Sequence, residues 1–242
     1  MKVVKLDAID STNDFLKNLL RSESLENYMV VTAEHQTNGK GQRGATWSSE
    51  SGKNLIISML IKDFIVADAT IFDLNIAVSL AVHDALSTLE IPKLKIKWPN
   101  DIMSDGKKIG GILIENSFKG DSSIESIVGI GLNVNQLQFE NLPKASSLAI
   151  ISGSTFDKEM VLNQIVQEII KNTSTWNVNP QLFKEKYTNL LFRKGEWTEF
   201  QTTDCLIFNG KIIGITNNGQ LTIENESGAI RSFDIKEVKM IF

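Results

Sequence analysis

The stretch from Lys97 to Asn116, KWPNDIMSDGKKIGGILIEN, constrains this chain more than any other. Asp105-Gly106 lies between two runs with strand character, and the favoured two-residue hairpin turn needs positive φ at both central positions, which aspartate and glycine tolerate. Ile102-Met103 and Ile109 to Ile114 are therefore expected to pair as strands. Trp98-Pro99 cannot lie inside a helix, because proline lacks the backbone donor and pushes its predecessor toward extended geometry. Asn100 and Asp101 then fall on a loop at a strand end, with Lys107 and Lys108 returning beside them across the hairpin. An amide, a carboxylate and an ammonium gathered by backbone geometry make a candidate site for a charged ligand.

Around this hairpin the chain reads as strands mixed with helices. Val3 to Leu6 predicts a strand. Ser11-Thr12-Asn13-Asp14 opens a helix, with Ser11 and Asp14 spaced as a capping-box variant and Phe15, Leu16, Leu19 and Leu20 as its buried face. Met29 to Thr32 predicts a strand, followed by a polar loop from Ala33 to Gly52, AEHQTNGKGQRGATWSSESG. Its glycines let successive backbone N–H groups turn inward around an anion, and Lys40 and Arg43 add positive charge. It is not a P-loop, since no Gly-Lys-Ser/Thr tripeptide opens a helix. Asn54 to Ile61 reads as a buried strand and Ile71 to Leu89 as a long core helix. In Glu125 to Asn135, ESIVGIGLNVN, Gly129 and Gly131 bare one face of a strand, a mark of close approach by a ligand or another backbone. Asn133 follows on the same face by the period of two. Ser146 to Ile151, Asp157 to Lys171 and Pro180 to about Leu191 predict helices, the last opened by a tolerated proline. Past Gly195, short β segments broken by Asn209-Gly210, Asn217-Asn218-Gly219 and Ser227-Gly228 predict a small appended barrel, with the boundary near Arg193 to Glu196.

Composition works by exclusion. One cysteine, Cys205, rules out an intrachain disulfide and a zinc cluster. The net charge of −4 argues against non-specific binding to nucleic acid. The N-terminus MKVVKLDAIDSTND is too polar for a signal peptide, and no apolar run approaches the roughly 20 residues that span a bilayer. The expectation is a cytoplasmic protein with no membrane segment.

Five motifs come in one order: Ser11-Thr12-Asn13; Gln36-x-x-Gly39-Lys40-Gly41-Gln42-Arg43-Gly44-x-x-Trp47; Lys97-Trp98-Pro99-Asn100-Asp101; Lys108 through Glu115; and Gly129-Ile130-Gly131-Leu132-Asn133. Together they resemble the bacterial biotin protein ligases over almost the whole chain. The resemblance implies an α+β fold, in which a mixed β-sheet flanked by helices, akin to class II aminoacyl-tRNA synthetase cores, spans residues 1–193. A small SH3-like β-barrel would occupy 194–242. It further implies the monofunctional type that starts at the catalytic core, without a winged-helix DNA-binding domain. The implied reaction joins biotin and ATP into biotinyl-5′-AMP and pyrophosphate, then transfers biotin to a lysine of the biotin carboxyl carrier protein of acetyl-CoA carboxylase.

By the same matching, Lys108, Lys40 and Arg43 supply catalytic charge. Ser11, Thr12, Asn13 and Gln36 hydrogen-bond the ureido end of biotin, and Gly39, Lys40, Lys108, Gly111, Gly129 and Gly131 complete its slot. Gln42, Arg43, Trp47, Asn100, Asp101 and Asn133 serve ATP and the adenylate, with Asp101 the carboxylate near Mg2+. Many family members carry arginines where this loop has Lys40 and Gln42. Lysine keeps a point charge without bidentate phosphate recognition, and glutamine has no charge, so retention of the adenylate rests more heavily on Arg43. Two other readings stay open: a lipoate-protein ligase or octanoyl transferase on a related core, and a biotin-binding interaction module in which Lys108 is a surface charge. The assembly is a monomer or a homodimer.

Overall fold

A computed structural model describes residues 2–65, 69–118, 124–140 and 142–242, with the side chain of Arg43 outside the described set. The Asp105-Gly106 turn closes as its sequence requires, both residues having positive φ, 47° and 75°. In chain order the elements are β1 (Val3–Ile9), α1 (Thr12–Ser22), β2 (Val30–Gln36), β3 (Leu55–Lys62), α2 (Ile71–Thr88), β4 (Leu94–Lys97), β5 (Asp101–Ser104), β6 (Lys107–Phe118) and β7 (Ile124–Leu132). There follow α3 (Leu148–Ser152), α4 (Lys158–Thr175), α5 (Pro180–Asn189), β8 (Trp197–Thr202), β9 (Ile207–Ile215), β10 (Leu221–Asn225), β11 (Ile230–Phe233) and β12 (Val238–Ile241).

The first seven strands form one sheet in the order β1-β2-β3-β7-β6-β5-β4. β1 and β2 run parallel and the other neighbours antiparallel, so the sheet is mixed. α1 covers one face, burying Leu16 against Val31, Leu60 and Ile127. α2 and α4 cover the other, where Ile57, Met59 and Val128 meet Leu80, Leu86, Ile165 and Ile169. Lying between sheet and α4, α2 is buried without interruption from Asp73 to Val82, and a Thr70–Asp73 capping box starts it. The last five strands form an antiparallel sheet ordered β11-β10-β9-β8-β12, consistent with the SH3-like domain expected. Among the described residues no helix is long and apolar enough to cross a membrane.

Three local expectations need correcting. β2 runs on to Gln36, because Ala8 and Ile9 of β1 pair with His35 and Gln36 and satisfy their backbone whatever the side chains. The polar loop therefore starts at Thr37. Only half of the Ser11–Asp14 capping box forms: Ser11 Oγ accepts the Asp14 N–H, but the Ser11 N–H goes to Asp10 and the Asp14 carboxylate to Lys40. Asn209-Gly210 is no turn but lies inside β9, where the missing side chain of Gly210 makes room for Ile223 of β10. The chain reverses instead at Asp204-Cys205, with Cys205 at φ 65°.

Candidate active site

Strand register builds the floor of the site. β7 lies between β3 and β6, and pairing sets Gly129 opposite Ser58 and Leu113, and Gly131 opposite Ile56 and Gly111. A Cβ on Gly129 would lie 2.5 Å from Asn13 Oδ1, and one on Gly131 would collide with the Trp47 indole. The two glycines thus admit the head of α1 and the polar loop down onto the sheet. Between them remains a cavity of about 250 Å³. Ser11, Thr12, Asn13, Gln36, Lys40, Gln42, Trp47, Asn100, Asp101, Lys108, Gly111, Gly129 and Gly131, all anticipated from the motifs, line it.

One end is polar and neutral. The Thr12 backbone N–H and hydroxyl both donate to Gln36 Oε1, at 2.7 and 3.0 Å. Ser58, fully buried on β3, places its hydroxyl 2.8 Å from Thr12 Oγ1 and 2.5 Å from Asn13 Oδ1, with one proton to donate between them. The Asn13 amide donates in turn to Glu115 (2.9 Å), which Lys17 contacts from α1 at 3.3 Å. Buried polar groups demand partners, and this chain of bonds fixes how each side chain is oriented toward the cavity. Sequence reasoning gave Ser58 and Glu115 no role. Their signals were a lone hydroxyl inside the apolar run Leu55 to Ile61, and a carboxylate closing the run Ile112 to Ile114.

The other end is charged. Lys108 Nζ lies 2.6 Å from Asp101 Oδ1, and Lys97 Nζ 3.4 Å from Asp101 Oδ2. Lys108 and Asp101 line the cavity, while Lys97 backs the carboxylate from outside the lining, so the cluster of two ammonium groups and one carboxylate carries a net positive charge. A register shift between Ile102 and Met103 sets Lys108 opposite Met103 and Gly111 opposite Asp101, and the long lysine side chain spans back to the aspartate. Lys107 does not join the site, since alternation turns it outward to the Pro143 carbonyl (2.6 Å). Asn100 is clipped to β6 through Ile112, whose N–H it accepts (3.0 Å) and whose carbonyl its amide contacts (2.6 Å).

Asn133 lies apart from the cavity lining. β7 ends at Leu132, so the alternation does not carry on, and the Asn133 amide donates to the Ser146 carbonyl (2.9 Å) while its N–H donates to Ile109 (2.7 Å). Ser146 N–H in turn binds the Lys108 carbonyl (2.9 Å), so Asn133 braces the backbone that carries Lys108.

The glycine loop folds back on itself over the cavity. Trp47 N–H donates to Gly39 (2.9 Å), and Gly41 N–H to Ala45 (2.7 Å). Gly39 underlies this closure rather than lining the cavity, since a side chain there would strike the Trp47 backbone. Lys40 Nζ sits 2.6 Å from Asp14 on α1, and that hydrogen bond holds its pKa above the ordinary lysine value. Among the described residues the buried Trp47 indole N–H finds no hydrogen-bond partner. The backbone of Arg43 lies in the short turn Gln42–Gly44, and its side chain is outside the described residues. No group of three or more His, Cys, Asp or Glu side chains able to hold a metal occurs among the described residues, and Asp101 already faces two lysines. These residues do not fit a resident metal site.

Residues 6–135 match the Biotin/lipoate A/B protein ligase family. Over 246 aligned residues the chain is 31% identical to the bifunctional ligase/repressor BirA of Bacillus spizizenii, covering 95% of this chain and 72% of that protein. It is 32% identical over 158 residues to the biotin–acetyl-CoA-carboxylase ligase of Mycobacterium tuberculosis, covering 64% of this chain and 58% of that one. Its fold superposes on the biotin protein ligase from Aquifex aeolicus in complex with biotin and ATP with a TM-score of 0.82, at 28% identity over 99% of this chain and 98% of that one. The chain belongs to the biotin/lipoate A/B protein ligase family.

Proposed function

We propose that this chain is an ATP-dependent biotin protein ligase. It forms biotinyl-5′-AMP and pyrophosphate from biotin and ATP, then transfers biotin to a lysine of a biotin carboxyl carrier protein, that of acetyl-CoA carboxylase. The observation that carries this reading is the polarity of one cavity: buried neutral hydrogen-bonding groups at one end, a glycine floor, and the Lys108–Asp101–Lys97 cluster at the other. That arrangement suits a small ligand with a neutral polar head, an apolar body and a carboxylate tail.

In the first step a carboxylate oxygen attacks the α-phosphorus, and the bond to pyrophosphate breaks with its electrons. Two anions must meet, so fixed positive charge where negative charge develops lowers the barrier. Lys108 is placed to supply it, with Lys97 and Asp101 holding its position. Ser11, Thr12, Asn13 and Gln36 hold the head, while Gln42, Trp47 and Asn100 stand on the nucleotide side. In the second step a neutral carrier lysine amine attacks the acyl carbon and AMP leaves. The closed loop Gly39–Trp47 keeps out water that would hydrolyse the mixed anhydride. Magnesium would arrive on the phosphates of ATP as part of that substrate. We place the catalytic domain at 1–193 and the C-terminal domain at 194–242, where Arg193 and Gly195 turn the chain with φ of 58° and 75°. The reaction belongs in the cytoplasm, with its carrier.

Pyrophosphate release from MgATP with biotin, lipoate or neither tests the reading. Biotin-dependent release is expected, and Lys108→Ala should cut it about 10²–10³-fold, the scale of losing one preorganised charge-stabilising group, with folding intact. Lipoate-dependent release would move the chain to the other branch of its family, and unchanged release by the variant would remove Lys108 from its role.

A further inference from the structure

Within the core that the C-terminal sheet shares with the catalytic hairpin, one contact is a buried hydrogen bond. Trp98 is 8% exposed, and its indole N–H donates to the carbonyl of Gly219 at 2.9 Å. Gly219 ends the Asn217-Asn218-Gly219 turn between β9 and β10, has φ 84°, and presses on the Phe72 ring of α2 so closely that a Cβ would overlap it. The next residue is held from the helices: the Pro99 carbonyl accepts the Asn75 amide (2.7 Å) and the Tyr187 hydroxyl (3.1 Å). The tripeptide Trp98-Pro99-Asn100 is thus tied at every residue. It carries Lys97 at one end and Asp101 at the other; Asp101 pairs with Lys108 through one carboxylate oxygen and with Lys97 through the other.

We propose that the C-terminal sheet acts in adenylation through Trp98, docking its Gly219 turn against the indole N–H and so fixing the loop that sets Asp101, backed by Lys97, against Lys108. Trp98 and Gly219 are positioning residues, since neither lines the cavity. The proposal rests on the ligase reading and gives the C-terminal sheet a task in the first half-reaction, separate from any contact with the carrier. The neutral end of the cavity, built from α1, β2 and β3, lies outside this brace. Biotin binding should therefore be insensitive to it.

The test compares the full-length wild type with Trp98→Phe, which keeps an aromatic ring and removes the donor, and with Gly219→Ala, which displaces the turn. Melting temperature, biotin Kd by calorimetry, and kcat and KM for ATP in biotin-dependent pyrophosphate release are measured, the kinetics below both melting transitions. In both variants kcat/KM for ATP should fall about ten- to a hundredfold, the scale on which a small misplacement of reacting groups acts, while biotin Kd is unchanged. Lower melting temperatures with unchanged ATP kinetics would mean a purely structural contact and overturn the proposal. An equal loss of biotin affinity would overturn it too, by showing general damage to the site. Absence of release from the wild type is a separate result that sinks the ligase reading itself.

Discussion

Ser58 shows how much a single hydroxyl can settle. It is the one polar side chain in the apolar core of β3, and pairing with Gly129 sets it between Thr12 and Asn13. Ser58→Ala would remove the one hydroxyl proton that lies between the buried Thr12 and Asn13 oxygens, a loss of about 1–3 kcal/mol. We expect a lower melting temperature and a biotin Kd about tenfold weaker, equivalent to ~1.4 kcal/mol. An unchanged Kd would show that Thr12 and Asn13 need no orienting hydroxyl. The glycines act oppositely, by omission. Gly129 and Gly131 are legible in sequence as a bare strand face, but only the structure shows that Asn13 fills one gap and Trp47 the other.

The glycine loop is the element whose state matters most. Its closure uses internal backbone bonds, the packing of the Trp47 indole on Gly131 and, among the described side chains, an ion-pair tie from Lys40 to Asp14, with the lysine 43% exposed. An exposed ion pair contributes at most ~1 kcal/mol, so Asp14→Asn should raise the open population by no more than about fivefold. Limited trypsin digestion would read this as faster cleavage after Lys40 or Arg43, slowed again by biotin, with the melting temperature unmoved. Cleavage at the wild-type rate would show that the tie does not hold the loop. The tie was hidden in sequence, where Asp14 read as half of a capping box: local spacing cannot reveal that a carboxylate has a stronger partner 26 residues on. The turn of the β5–β6 hairpin was legible because Asp-Gly specifies it, while the register shift between Ile102 and Met103 was not.

Across the whole molecule the two sheets share one apolar core. Phe200, Ile212, Leu221, Ile223 and Phe233 of the C-terminal sheet belong to the same cluster as Leu80, Trp98 and Ile165. Calorimetry should therefore record a single unfolding transition for both sheets; two resolved transitions would show that the C-terminal sheet melts on its own. By itself the sequence determined most of the elements and the hairpin turn, because turn residues and periodicity act over a few positions, and the resemblance carried by its five motifs implied the class of chemistry. It did not determine that Asn133 braces Lys108 from outside the cavity, that Lys107 turns away, or that Trp98 reaches Gly219, 121 residues on. Those were decided by tertiary structure alone, since strand register and domain docking fix which side chains share a space, and neither is written in local sequence.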